Sequence, residues 1–490
     1  MPTQLDLNDP KQISALFKTA REYRERNFED VWKEVIQYDE EYSPNRRFPI
    51  LGQGGAKDRL RFVVRLPKIR LNNQRKAAML GRVKFVPKVY SESTTMDGAA
   101  SVRELLLAWA FRVSRFDSLV ASMNRDIVSL GTPFLQGVWD QDALGGEGAP
   151  AGLVKDCWSM YVDPQRRHTD INKDCRWIFD CQWYTASDLY TMWSDYFDQH
   201  EMKGGYSQGT FSLDQSTFKE QHSDAEGELY PIAAVEYMTR ENNRKIIKRG
   251  ILDIGGNEWI EPAQDNELGM YSYAPFSVKL RRKHAWPIPP NAQEFETCDL
   301  LNATYSLAMQ GTYTAVIPHI IYDAEDTFQI EMFKSDKYGD PGAAFGVGSG
   351  YKGPRTFEGV DIRPLFEIAM NLERQTNENS TISQIQRGEA PTGVQSGRAI
   401  QLLQGHADIT QDEYNAARDE GAAIFANIID RLCQKHITGF REITVSQGNN
   451  TTRVPLNVPP DHPQFGQLDQ DQNVPTVKSA RWFAQQPMEG

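Results

Sequence analysis

Two helical reaches follow one another late in the chain, and the break between them constrains the fold more than any other feature. Residues 361–383 read as one helix and 397–436 as a longer one, with "QIQRGEAPTGVQSGRAIQLL" (384–403) spanning the interruption. Gly388, Pro391, Gly393 and Gly397 fall there, and large apolar side chains are almost missing. A connection inside a packed core is usually short and polar, or is held by an apolar anchor. This one is neither very short nor anchored, so it needs surroundings other than a core.

Length allows one to three domains in 490 residues, and 40% hydrophobic with 11% aromatic side chains supports real cores and argues against a disordered chain. A formal net charge of −12 excludes a protein held to nucleic acid by attraction over its whole surface. The start, MPTQLDLNDP, shows no export signal, and the longest apolar run, "LLLAWAF" (105–111), is too short to span a bilayer, so no membrane association is expected. Cys157, Cys175, Cys181, Cys298 and Cys433 form no disulfide framework, which points to a reducing compartment. Cys175 and Cys181 have no nearby partner pair to complete a metal site, so buried structural thiols are expected.

Asp9, Pro10 and Gln12 mark the start of a helix over 9–42. Residues 57–88 hold eleven Lys or Arg and one acidic residue, Asp58. Within them "RLRFVVRL" alternates, placing Leu60, Phe62, Val64 and Leu66 on one face and Arg59, Arg61 and Arg65 on the other, as in a half-buried strand. The basic face either contacts DNA or, the favoured reading in an acidic chain, is neutralised by acidic neighbours in the same or another subunit. Ser101 and Glu104 read as a capping box starting a helix over 102–130, ended by Gly131. Strands are expected at 134–140, 157–162 and in "RWIFDCQWYT", followed by a short helix capped by Thr185 and Asp188. Residues 229–262 read as antiparallel strands with a turn at Gly255-Gly256, and "YAPFSVKLRRKHAWPIPP" as extended and proline-punctuated chain. Asn291 and Glu294 cap a helix over 292–315, residues 316–358 form a small β-rich excursion, and Ser396 caps the last long helix. Residues 440–490 read as a loosely packed tail rich in Pro and Gln.

Catalytic patterns fare poorly. Gly205, Ser207 and Gly209 match G-x-S-x-G, but the polar flanks lack the buried strand that a nucleophile elbow needs. Gly348, Gly350 and Gly353 match G-x-G-x-x-G, yet Pro354 follows at once where a helix should open. His168 and Asp170 read as an exposed loop pair, and no P-loop or H-E-x-x-H occurs. No catalytic residues, metal or cofactor are expected.

The order of elements carries more weight: a body, a helix, a β excursion, a second helix, a Gly/Pro loop, a long helix. With "VRELLLAWAFRVSRFDSLVASMNRDIVSLGTPFLQGVWD" (102–140), "DCWSMYVDP" (156–164), "ETCDLLNATYSLAMQGT" (296–312) and "SGRAIQLLQGHADI" (396–409), the chain resembles the portal proteins, the head-to-tail connectors of tailed bacteriophages, and most of all those of the short-tailed group. The similarity runs over roughly residues 10–436 and rests on pattern rather than on a chemical fingerprint.

That resemblance implies an α+β portal fold closed into a ring, usually of about twelve identical subunits, at one capsid vertex. Residues 1–283 would be an α/β wing, 284–315 and 359–383 the stem helices, 316–358 the clip, 384–396 the tunnel loop, 397–436 the long wing helix, and 437–490 a crown-like or flexible tail. Double-stranded DNA would pass through without sequence preference during packaging and ejection, touched weakly by Gln384, Gln386, Arg387, Glu389, Thr392 and Gln395. Glu294, Asp299, Glu367, Glu373 and Arg374 would line the stem channel. Stem acids there, Glu296, Asp361 and Glu378 among them, would either repel DNA from the wall or pair with Arg363 and Arg374 between helices. Asp323, Glu325, Lys334, Lys352 and Arg355 of the clip would dock the terminase large subunit and later the head-completion or tail adaptor, while capsid and scaffolding proteins are the remaining partners. Arg59, Arg61 and Arg65 would meet an acidic flank of the neighbouring subunit. The implied location is the virion, after synthesis in the host bacterial cytoplasm. Two other readings stay open from the residues alone: a nucleic-acid-binding protein using 57–88, and a serine hydrolase on Ser207.

Overall fold

Asp9 opens the first helix as its sequence predicts. In the computed structural model, which describes residues 8–40, 64, 66–81, 84–90, 97–198, 200, 229–241, 244–316, 320–321, 355–356, 361–379, 412–447, 450–457 and 481–485, helix α1 spans Pro10–Arg24. Asp9 Oδ1 accepts the Lys11 N–H at 3.0 Å, and the Gln12 amide donates back to Oδ2 at 3.2 Å. Pro10 takes the first position, where a missing N–H costs nothing. A π-turn at Glu25–Glu29 carries the path into α2 (Asp30–Glu40). Ile13, Phe17, Ala20, Phe28, Trp32 and Val35 form its buried stripe.

Helix α3 (Lys68–Leu80) and strand β1 (Val86–Tyr90) follow. Of the alternating strand expected at 59–66, Val64 and Leu66 are described and neither is in a strand; Arg59, Arg61 and Arg65 lie outside the described residues. The helix expected over 102–130 is two helices, α4 (Asp97–Val113) and α5 (Phe116–Ser129). Ser101 is interior to α4, so the capping box does not form, and Arg115, at φ +52°, turns the chain between them. Gly131 ends α5 as predicted: at φ +86° it donates its N–H to the Asp126 carbonyl at 2.8 Å.

The strands are β2 (Phe134–Asp140), β3 (Ala149–Lys155), β4 (Met160–Val162), β5 (Trp177–Thr185), β6 (Leu229–Glu241), β7 (Arg244–Asp253), β8 (Glu258–Asp265) and β9 (Tyr273–Pro275). A short α6 (Ile171–Asp174) precedes β5, and α7 (Ala186–Phe197) follows it with the predicted Thr185/Asp188 capping box formed. Later come α8 (Phe295–Val316), β10 (Ile320–Ile321), β11 (Arg355–Thr356), α9 (Arg363–Asn379), α10 (Asp412–His436), β12 (Arg441–Gln447), β13 (Asn450–Leu456) and β14 (Arg481–Gln485). Asn291 does not cap α8, because its buried side-chain amide makes no hydrogen bond among the described residues.

The fold is mixed helix and sheet, α+β in class. Every pairing among the described strands is antiparallel, so the body expected as α/β has no parallel β-α-β unit among them. One sheet orders β4-β5-β6-β7-β8 and another β3-β2-β9. Helix α1 covers the larger sheet, with Phe17 edge-on to Phe179 at 5.5 Å and Tyr237, Val235 and Leu252 beside them. The main core gathers α4, α5, α10 and the smaller sheet; the Phe116 and Phe425 rings stack 5.1 Å apart. Gly421 of α10 lets Phe276 approach, since a Cβ there would sit 2.6 Å from that ring.

Of the tail expected to pack loosely, residues 441–447 and 450–456 do not. Strands β12 and β13 form a hairpin whose Ile443, Val445 and Leu456 are buried in the main core, and β14 pairs with β1. The alternation of these apolar positions was masked by the surrounding Pro and Gln.

The described residues divide into two compact units, those within Met1–Asp39, Leu71–Ala292 and Gln384–Gly490, and those within Glu40–Arg70 and Gln293–Ser383. Residues 64 and 66–70, which the portal resemblance would put in the wing, group with α8 and α9.

Candidate functional site

The second unit is built on a helical hairpin. Tyr305 of α8 donates to Glu373 of α9 at 3.4 Å, and a Cβ at Gly311 would meet Ile362 at 2.8 Å. Residue numbers rise on one helix as they fall on the other, so the pair is antiparallel. Beyond it Ile320 pairs with Thr356 and Ile321 with Arg355, which brings the two ends of the 316–358 excursion together. The interior of that excursion, including Asp323, Glu325, Lys334 and Lys352, lies outside the described residues, as does the side chain of Arg355.

A third strip of chain is bound to α8 by polar side chains that a helix normally turns outward. Asn302 Oδ1 accepts the Leu66 N–H at 3.0 Å, and Ser306 Oγ accepts the Val64 N–H at 2.9 Å while donating to the Asn302 carbonyl at 2.7 Å. Asn302 and Ser306 are buried by this contact, and their hydrogen bonds offset the cost of burying them. Lys68 forms an ion pair with Glu373. Burial, then the Glu373 carboxylate, raise the Tyr305 phenol above its ordinary range.

These contacts revise the channel-lining expectations. Glu294 is 0% exposed, so its carboxyl faces protein within the chain. Glu373 is engaged by Lys68 and Tyr305. Asp299 is half-buried, whereas Glu367 and Arg374 are exposed. Of the cations within 57–88, Lys76 is buried beside the Tyr414 ring, while Arg59, Arg61 and Arg65 of the expected basic face lie outside the described residues. Gln384, Gln386, Arg387, Glu389, Thr392 and Gln395 lie outside the described residues, as do Gly205, Ser207 and Gly209.

Sequence reasoning missed the outer face of α9. Ala369 and Thr376 are buried on the inner side, with Leu365 and Leu372 half-buried along it. Ile368 is 49% exposed on one flank of that inner side, and Met370, 63% exposed beside Phe366, lies on the other. Leu300 and Met309 of α8 are exposed as well. The available signal was the Phe366/Met370 spacing of one helical turn, set off from the Leu365-Ala369-Leu372 face.

Chemistry-bearing groups elsewhere are structural. All five cysteines are buried and none is in a disulfide, and burial pushes Cys175 up to about 11 and Cys298 to about 12. Thiols so protonated are poor nucleophiles at neutral pH. No group of His, Cys, Asp and Glu among the described residues has the arrangement of a metal site. No helix of the described residues is long and apolar enough to cross a membrane. A comparison with protein-family models finds no match, and a comparison with curated proteins finds none either.

Proposed function

We propose that the chain is the subunit of a phage portal, a ring at one capsid vertex through which double-stranded DNA is packaged and ejected. It has no catalysis of its own, and docks a packaging motor and then head-completion proteins. The observation that carries this reading is the antiparallel α8/α9 hairpin, with Phe366, Ile368, Met370, Leu300 and Met309 exposed along it and an excursion whose ends close on one short ladder. Phe366 and Met370, one helical turn apart on the same flank of α9, are costly to leave in water and mark a surface covered by protein. A cyclic assembly covers such a surface on every copy by packing it against a different patch of the neighbour. The segment joining the two short strands is then the docking element, as the portal resemblance implies for the clip.

The test is the assembly state. Light scattering coupled to gel filtration, with negative-stain images, should give rings with a central hole and about twelve copies. Phe366→Glu with Met370→Glu should lower ring yield severalfold while the far-ultraviolet dichroism stays unchanged. A native chain that remains a compact monomer at high concentration would sink the reading.

A further inference from the structure

The extended stretch after β9 carries a feature that the portal reading leaves unused. Lys279, Arg281, Arg282 and Lys283 are all exposed, and none is in an ion pair with a carboxylate among the described residues. Arg167, exposed on a neighbouring loop, donates from its guanidinium to the backbone carbonyls of Pro164 and Arg166, and that guanidinium is in no ion pair with a carboxylate among the described residues, the Asp174 carboxylate accepting its backbone N–H instead. The nearby acids of α1 are already taken: Glu22 pairs with Arg26 and Glu25 with Arg21. Burial, then the Arg281 and Arg167 guanidiniums, hold the His284 imidazole below its ordinary range, as expected where cations gather without neutralisation.

The cations are also held in place. The His284 N–H closes a tight turn on the Arg281 carbonyl at 3.0 Å. His284 Nδ1 lies 3.0 Å from the Tyr23 hydroxyl, which also accepts the Ala285 N–H at 3.1 Å. Val278 on one side and Trp286 on the other are buried, with the Trp286 ring 5.1 Å from that of Trp32. Lys283 itself sits at φ +65°, a left-handed conformation in which glycine is the relaxed residue. The turn therefore keeps a lysine where backbone conformation favours its loss.

We infer that the turn Lys279–His284, together with Arg167, is a binding surface for the phosphate backbone of double-stranded DNA. Several exposed cations, three of them guanidiniums, suit phosphate oxygens through paired N–H donors. The exposed side chains between Lys279 and Lys283 are all charged, with Leu280 half-buried, so the surface lacks the apolar anchor that a protein partner normally fills. In a chain of net charge −12, DNA is held only at such a local patch, which makes the contact weak, salt-sensitive and indifferent to sequence. The inference does not require that the copies close a ring.

The test is fluorescence-anisotropy titration of the full chain with a random-sequence duplex between 50 and 200 mM salt. Four phosphate contacts predict a loss of affinity of roughly 100-fold over that range. The variant Lys279→Gln/Arg281→Gln/Arg282→Gln/Lys283→Gly should bind at least tenfold more weakly at low salt and lose most of the salt slope. Lys283→Gly alone should reduce the slope by about 0.9 without lowering the melting temperature, because glycine relaxes the turn. Unchanged affinity and slope in a folded quadruple variant would overturn the proposal. So would preferential displacement of the duplex by poly-glutamate, or an altered assembly state with unchanged DNA affinity, since each assigns the turn to a protein partner. Ring formation is measured separately by light scattering, so failure here leaves the portal reading standing, and the reverse.

Discussion

Arg24 shows how a single residue ties the first unit together. It is 1% exposed, pairs with Glu29 at 3.2 Å, and donates to the Trp158 and Met160 carbonyls at 2.6 and 3.2 Å and to the Tyr161 hydroxyl at 2.8 Å. Arg24→Met should cost about 3–5 kcal/mol by urea unfolding, because it leaves buried Glu29 with only the distant Lys33 ammonium, 3.9 Å away; adding Glu29→Gln should recover much of the loss. A single mutant as stable as wild type would show that water reaches the site. Glu236 is a second buried charge, satisfied by the Ser272 N–H at 2.8 Å with Arg249 at 3.9 Å. Burial raises its carboxyl above the ordinary 4.5, against the opposing pull of Arg249 and Ser272. Between 4.5 and the raised native value, the folded chain holds a proton that the unfolded chain has released, so this group's contribution to stability falls as pH rises through that window. Glu236→Gln should remove that slope from a series of urea midpoints; an identical pH profile in the variant would refute the assignment. Neither role is visible in the sequence, where Arg24 and Glu236 look like ordinary surface charges.

Among the elements, legibility followed the range of the forces involved. The Asp9 cap, the Thr185/Asp188 box, the Gly131 stop and the turn where Asp253 Oδ1 accepts the Gly255 N–H at 2.9 Å all formed as expected, because each is settled within a few residues. The split between α4 and α5 was not readable: the apolar spacing continues through Val113 and Phe116, while Arg115 takes a left-handed conformation that spacing does not signal. The β12/β13 hairpin was missed for a related reason, since its composition resembles a tail and its burial depends on α4 and α10. Arg112 donates to the Thr444 carbonyl at 2.6 Å, and Ile443 is 1% exposed. Ile443→Ala should therefore cost about 2–5 kcal/mol in chemical denaturation, as for a core position. A change of only a few tenths would return the segment to the status of a loose tail.

At the scale of the whole molecule, the assembly experiment decides whether the exposed face of α9 meets a neighbour, and the salt titration decides whether a net acidic chain still carries a patch for DNA. Sequence alone determined the α+β class, the starts and stops set by local capping, the antiparallel strands over 229–262 and the burial of Cys175 and Cys181. Periodicity and hydrogen bonding within a few residues are enough for these, and they act in any tertiary context. Only the tertiary structure decided that residues 64 and 66–70 join α8 and α9, that Glu294 is buried, that Glu373 is taken by Lys68, and that 441–447 and 450–456 complete a core. Each of those outcomes depends on residues far apart in the chain meeting in space, and the free energy of burial that rewards such meetings leaves no local mark in the sequence.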